Sequence, residues 1–364
     1  MAATQESAWA GIQFIKAYAM DDRPVEPLHI LDLYDFLLHT YSNRIYLLPI
    51  LMKRFLLRSV LFLVVLSICT AGILLCIHRN PDHYLKTYTL KLNRLRTTES
   101  PRLILVGGSN VAFGVDSKML ADSLKMHPVN FGLHAGLSLR YVMRDVIRYS
   151  RPNDLIILLP EYESFYNKGG GDFVVFSQLL FYDRMHGWMD MSFYEWVNVL
   201  HGFLYTPVAY LRELIGYNPP TLFTYCYKGF NQYGDEVSHW FLPSVRQVSF
   251  SVSENVEDAP SINDKEESWF IESYNKLIER KATVYIFPPA MAEAGLPSTM
   301  GKIKANKAFF KRHGISYASQ LEHSIFPDST LFDNTRYHLN YAGVQMNTQR
   351  LIREIRRLQE NPQQ

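Results

Sequence analysis

The chain has 364 residues, 48% of them hydrophobic, which is enough to fill the core of one large domain or two modest ones and too apolar for a disordered tail. Its 37 basic and 35 acidic side chains leave a net charge of +2, so nothing global points to nucleic acid or to a strongly anionic partner. Three cysteines, with no CxxC pair and no Cys/His cluster, argue against a disulfide framework and a structural zinc site, and no cofactor is expected.

Residues 1–51 form an N-terminal arm of mixed character, in which LHILDLYDFLLHTY suits a short amphipathic helix and IYLLPIL is a second apolar patch. Met52 then opens MKRFLLRSVLFLVV, which by itself reads as the start of a membrane-anchored protein. The arm is therefore either a cytoplasmic or interfacial segment or a stretch that is not translated. Residues 59–77, SVLFLVVLSICTAGILLCI, carry no charge. At about 1.5 Å per residue such a run crosses a hydrocarbon core of about 30 Å, so a transmembrane helix in contact with lipid is expected. It is longer than the apolar region of a signal peptide and no A-x-A site follows it. Arg44, Lys53, Arg54 and Arg58 flank its start and Arg79, Lys86, Lys91, Arg94 and Arg96 follow its end, so the charge count is nearly balanced. The closer basic residues on the N-terminal side and the usual habit of single N-terminal anchors place the large domain outside the cytoplasm.

Residues 78–100 are polar and basic and read as a linker. RLILVG is then a short apolar run stopped by glycine, as in a buried parallel strand, and DSKMLADSLK has helical spacing with Asp116 as N-cap. PVNFG is the next strand. SLRYVMRDVIRYS puts Leu139, Val142, Met143, Val146 and Ile147 on one helical face, and DLIILLPE is the third strand. This β-α-β-α-β opening is of the doubly wound type. The alternation stops over about 162–262, where glycines 169–171, the run FSQLLFYDRMHGWMDMSFYEWVNVL and a proline-spaced stretch indicate an aromatic-rich inserted subdomain or lid. Much of the chain's 23 Tyr, 22 Phe and 5 Trp falls there, either as core or as an aromatic surface. Alternation resumes with ESWFIESYNKLIERK as helix, ATVYIFPP as strand, STMGKIKANKAFFKRH as helix, ISYAS as strand and YAGVQMNTQRLIREIRRLQ as the last helix. The expected fold over 101–358 is a flavodoxin-like three-layer α/β/α sandwich around a central parallel sheet.

Ligands of open parallel sheets bind outside the carboxyl ends of the strands, and Gly107, Gly108, Ser109 and Asn110 stand at such an end. A phosphate cradle would need GxGxxG or GK[ST] spacing, which GGSNVAFG lacks. A nucleophilic serine needs a base, since its hydroxyl is a poor nucleophile at neutral pH. FDNTRYHLNYAG supplies His338 just before the final helix, with Asp333 upstream. Glu161 and Glu163 could form a glycosidase pair, about 7 Å apart if both lay on a strand. Asp235, Glu236 and His239 match a metal cluster by residue type only and read as a loop.

The order of an apolar strand into G-x-S, then V-N-x-G, then a late D…YHLN…G resembles the SGNH (GDSL-type) hydrolase superfamily, over residues 100–160 and 280–358. The resemblance implies Ser109 as nucleophile and His338 as its base; Asp333, five residues before His338, either orients the ring or leaves a Ser-His dyad or an inactive site. It also implies the Ser109 and Gly132 backbone N–H groups as oxyanion donors, with Asn110 standing in for the asparagine of the absent G-x-N-D block. Thr335 occupies the position three before the histidine where the family carries its acid. With a membrane anchor, the chain looks most like accessory proteins of bacterial cell-surface O-acylation. These are single-pass inner-membrane proteins whose extracytoplasmic domain works beside a membrane-bound O-acyltransferase on a polysaccharide. The rival expectation is a non-catalytic assembly or scaffold protein of an envelope polysaccharide pathway. Intact mass of the native protein separates a start at Met1 from one at Met52.

Overall fold

The computed structural model describes residues 51–70, 72, 82–166, 171–182, 191–214, 225–242 and 261–361. The chain divides into two compact units, Met1–Leu75 and Cys76–Gln364. In the first, residues 51–70 are helical, and Phe55, Leu57, Leu61, Phe62 and Ile68 are exposed along the helix. The expected transmembrane run 59–77 is described only to 70 and at 72, and the amphipathic helix expected within the arm lies outside the described residues. Among the described residues no helix is long and apolar enough to cross a membrane.

The second unit is α/β, built on four parallel strands: β1 (Arg102–Gly107), β2 (His127–Asn130), β3 (Leu155–Leu159) and β4 (Thr283–Ile286), in the order β2-β1-β3-β4. Its helices are α1 (Thr87–Thr97), the single turn α2 (Ser109–Ala112), α3 (Ser117–Leu124), α4 (Leu139–Tyr149), α5 (Phe173–Tyr182), α6 (Phe193–Leu214), α7 (Asp264–Glu279), α8 (Leu296–Arg312) and α9 (Tyr341–Glu360). RLILVG and LIILL are apolar at every position because both faces of the sheet are covered. Ile104, Val106, Ile156 and Leu158 enter one core with Tyr88 and Leu92 of α1, Val146 of α4 and Phe270 of α7. Leu103, Leu105, Ile157 and Leu159 enter a second core with Leu120 of α3 and Leu351 and Ile355 of α9. Strand periodicity thus sorts neighbouring residues to opposite layers.

Local signals operate as expected at several ends. The Asp116 carboxylate accepts the Met119 N–H at 3.0 Å and starts α3. Leu139, Val142, Met143 and Val146 are buried along one face of α4. Two expectations need correction. The stretch read as a linker contains α1, whose Tyr88, Leu92 and Leu95 are buried at helical spacing. The segment ISYAS is not a full strand, since only Tyr317 bridges to Ile286 at the edge of β4. The chain adds instead a separate two-stranded ladder, Met291–Ala292 with Ile325–Phe326.

Within the aromatic insertion, α5 and α6 pack against each other, and residues 225–242 bind to the β2 edge. Asp235 anchors that segment: its buried carboxylate accepts from Ser117 Oγ at 2.6 Å, Ser117 N at 2.9 Å, Asn130 Nδ2 at 2.8 Å and Asn231 Nδ2 at 2.9 Å. The Glu236 N–H donates to the Ala112 carbonyl at 2.9 Å. Buried Lys91 donates to the carbonyls of Asn130 and Gly234, and its burial pushes the ammonium down to about 7. This stretch is built into the core and supports the turn that follows β1.

At its other end β1 is clamped by charge. The fully buried Arg102 guanidinium binds both oxygens of fully buried Asp154, just before β3. It also donates to the Leu95 carbonyl of α1 and, at 2.9 Å, to the Tyr149 carbonyl of α4. The Arg151 N–H adds a further bond to Asp154, at 2.6 Å. Asp154→Ala strands the guanidinium without a counter-ion and is expected to cost about 3–5 kcal/mol, read as a lower urea midpoint with an unchanged slope.

Candidate active site

Ser109 is the first residue of α2, immediately beyond the carboxyl end of β1. Its side chain is half-buried. The turn holds itself in place: Asn110 Oδ1 accepts the Gly108 N–H at 3.0 Å, and Asn110 Nδ2 donates to the Leu159 carbonyl at 2.9 Å. Asn110 therefore ties the end of β1 to the end of β3.

Glu161 follows β3 and reaches back to this turn. Its Oε1 accepts the Ser109 hydroxyl at 3.3 Å and the Asn110 N–H at 3.2 Å. Gly108 makes the approach feasible, because a Cβ there would lie 2.6 Å from Glu161 Oε1. Burial raises the Glu161 carboxyl to about 7; adjacent Glu163 adds to the rise, while the Asn110 N–H, the Ser109 hydroxyl and Arg336 oppose it. The carboxyl thus changes charge near neutrality while in contact with the serine.

His338 is buried in the loop before α9, with its ring stacked on Phe113 at 4.4 Å and 8°. Phe113 follows α2, so the stack links His338 to the Ser109 turn. Nδ1 lies 2.7 Å from Asn334 Oδ1 and 3.3 Å from the Tyr225 hydroxyl. Asn334 Nδ2 donates to that hydroxyl at 3.1 Å and Oδ1 faces the ring, an arrangement that suits the Nδ1-protonated tautomer. Burial, with His239 and His134 nearby, pulls His338 down to about 3. Among the described residues no hydrogen bond joins Ser109 to His338.

Asp333 meets His338 only through the backbone, its N–H donating to the His338 carbonyl at 2.9 Å. Asn334 holds the ring instead, a neutral partner where the sequence points to an acid. Thr335 Oγ1 accepts the His338 N–H at 3.1 Å. The loop is fixed from outside by Glu163, which receives Arg336 Nη2 at 2.7 Å and the Tyr337 hydroxyl at 2.9 Å. Glu161 and Glu163 therefore serve different partners.

Of the three backbone or side-chain groups expected around an oxyanion, the Gly132 N–H donates to Asn130 Oδ1 at 3.1 Å and the Asn110 side chain braces β3. The Ser109 N–H makes no hydrogen bond among the described residues. Asp235 is consumed by the bonds that fix its loop, and Glu236 pairs with His239 Nδ1 while His239 Nε2 meets the Leu339 carbonyl at 2.9 Å. Among the described residues no group of three His, Cys, Asp or Glu side chains is arranged to hold a metal ion. Sequence reading missed Asn334, Tyr225 and the contact between Glu161 and Ser109. The last had a signal: adjacent parallel strands bring the residues just past their carboxyl ends together.

No protein-family model matches the chain, and no curated protein or solved structure does so either.

Two expected outcomes follow from the charges. Below pH 4.5 Glu161 is neutral folded or unfolded; between 4.5 and about 7 the unfolded chain releases a proton that the folded one keeps, so burial of the carboxyl lowers stability as pH rises. Glu161→Gln does not titrate and should be more stable than wild type by up to about 3 kcal/mol at pH 8, with the gain gone below pH 4.5. His338 runs the other way: its contribution is full above 6.5 and declines toward about 3, as the unfolded chain takes a proton that the folded ring refuses. Nitrogen-15 NMR should show this ring still neutral and Nδ1-protonated at pH 5.

Proposed function

We propose that the chain is a membrane-anchored, SGNH-like acyltransferase or esterase that acts on a cell-surface polysaccharide, with Ser109 as nucleophile. The observation that carries the reading is a half-buried serine hydroxyl at the carboxyl end of β1, hydrogen-bonded at 3.3 Å to a carboxyl able to receive its proton. The strand order β2-β1-β3-β4 supports a flavodoxin-like sandwich, in which the ends of β1 and β3 flank the crevice where ligands bind. Ser109 and Glu161 are the residues just past those ends. The Ser109 N–H, which makes no hydrogen bond among the described residues, is the first donor for a tetrahedral oxyanion. Attack by Ser109 forms an acyl-serine, and a sugar hydroxyl or water then takes the acyl group. Glu161 and His338 are the two candidates for the serine proton.

The apolar run 59–77 supplies the anchor, with a helix over 51–70 and exposed Phe55, Leu61 and Phe62 in favour of lipid contact. On this reading the protein sits in a bacterial inner membrane with its α/β unit outside the cytoplasm, beside a membrane-bound O-acyltransferase. The scaffold reading draws on one observation, the burial of His338 away from any hydrogen bond with Ser109. A serine-directed fluorophosphonate probe separates the two. Labelling of the full chain in detergent is expected, and it should vanish in Ser109→Ala. A folded wild type that takes no probe between pH 5 and pH 9 leaves the scaffold role.

A further inference from the structure

We infer that Glu161, rather than His338, takes the proton from Ser109 and returns it to the leaving group, so that the working pair of this site is a serine and a glutamate. The inference rests on the acyl-transfer reading and concerns which side chain serves it. Three geometric facts carry it. Glu161 Oε1 is the acceptor that the Ser109 hydroxyl already uses, at 3.3 Å. The Asn110 N–H fixes the same oxygen at 3.2 Å, and Gly108 leaves the space it occupies. His338, by contrast, has its Nδ1 held by the neutral Asn334 amide, so no carboxylate is bonded to the ring to stabilise an imidazolium.

The charges agree with the geometry. Glu163 on the same turn, Arg336 from the loop before α9, and Tyr337 and Tyr84 are the titratable groups that act on Glu161 or feel its charge. The balance leaves the carboxyl near 7, whereas burial, with His239 and His134 nearby, holds His338 near 3, and the titratable Tyr225 hydroxyl lies 3.3 Å from its Nδ1. A general base works best when its pKa lies near the operating pH.

The steps balance. Ser109 Oγ forms a bond to the acyl carbonyl carbon as its O–H proton passes to Glu161 Oε1, leaving a tetrahedral oxyanion. Collapse breaks the bond to the leaving oxygen, which takes the proton from Glu161. The acceptor hydroxyl of a sugar, or water, repeats the sequence in reverse: it gives its proton to Glu161, attacks the acyl-serine, and Ser109 leaves with the proton.

The test is the rate of fluorophosphonate labelling of the full chain from pH 5 to pH 9. Wild type should show a rate that rises with pH and levels off above about 7. Glu161→Gln, checked by circular dichroism for native fold, should label about 100-fold more slowly or worse and lose the inflection. Glu161→Asp should recover part of the rate and keep an inflection, and His338→Gln should keep the inflection whatever its effect on the rate. A second readout does not depend on labelling: the infrared carboxylic-acid band that titrates near pH 7 in wild type should be missing from Glu161→Gln. Glu161→Gln labelling at the wild-type rate, with the loss found in His338→Gln instead, overturns the proposal and returns the proton to His338 while the serine chemistry stands. Absence of labelling in folded wild type overturns the acyl-transfer reading, and this proposal with it.

Discussion

The buried pair between Arg102 and Asp154 governs the architecture, because it draws four elements to one point. Arg102 opens β1, Asp154 precedes β3, and the remaining guanidinium donors close the carboxyl ends of α1 and α4 through the Leu95 and Tyr149 carbonyls. Desolvating two charges is costly, and the cost is met only where both ions have their hydrogen bonds satisfied, which restricts the register of β1 on β3. With that end held, the opposite end of the same strand pair is also held. Ser109 and Glu161 meet there because Gly107 lies opposite Leu159 in the parallel ladder.

The proposed site sets stability against chemistry. A carboxyl kept out of water beside Glu163 is an unfavourable arrangement for the fold above neutral pH, and a glutamine would suit the packing better. Such groups persist where a charge change near neutrality has a use. The surroundings of His338 show the opposite design. Phe113, Tyr225 and Asn334 enclose an imidazole in its neutral form and supply no counter-charge, so the ring acts as a rigid wall that is bonded through Nδ1. The Glu163 bonds to Arg336 and Tyr337 keep that wall against the end of β3.

The aromatic insertion enters the same logic from the side. Asp235 fixes its 225–242 stretch to Ser117 and Asn130, and Tyr225 reaches from that stretch to His338 and Asn334. A region that breaks the alternation of strand and helix therefore supplies part of the wall around the site. Its polar residues are used in anchoring, which is why Asp235, Glu236 and His239 look like ligands in sequence and act as braces in the fold.

Much of the framework is written locally. The glycine stop after RLILVG, the Asp116 cap and the apolar face of SLRYVMRDVIRYS each depend on neighbours within a few residues, and they place Ser109 at a strand end without reference to the rest of the chain. The helix hidden in the polar stretch before β1 was legible only in retrospect, because Tyr88, Leu92 and Leu95 stand among basic residues that lower the apparent hydropathy. The partners of the site were not local at all. Asn334 or Asp333 could each serve His338 by spacing, and Glu161 could pair with Glu163 or with Ser109. Those choices are made by the packing of Tyr225, Arg336 and β3 against one another, since a hydrogen bond between residues 52 apart is fixed by the sheet register and not by the sequence that separates them.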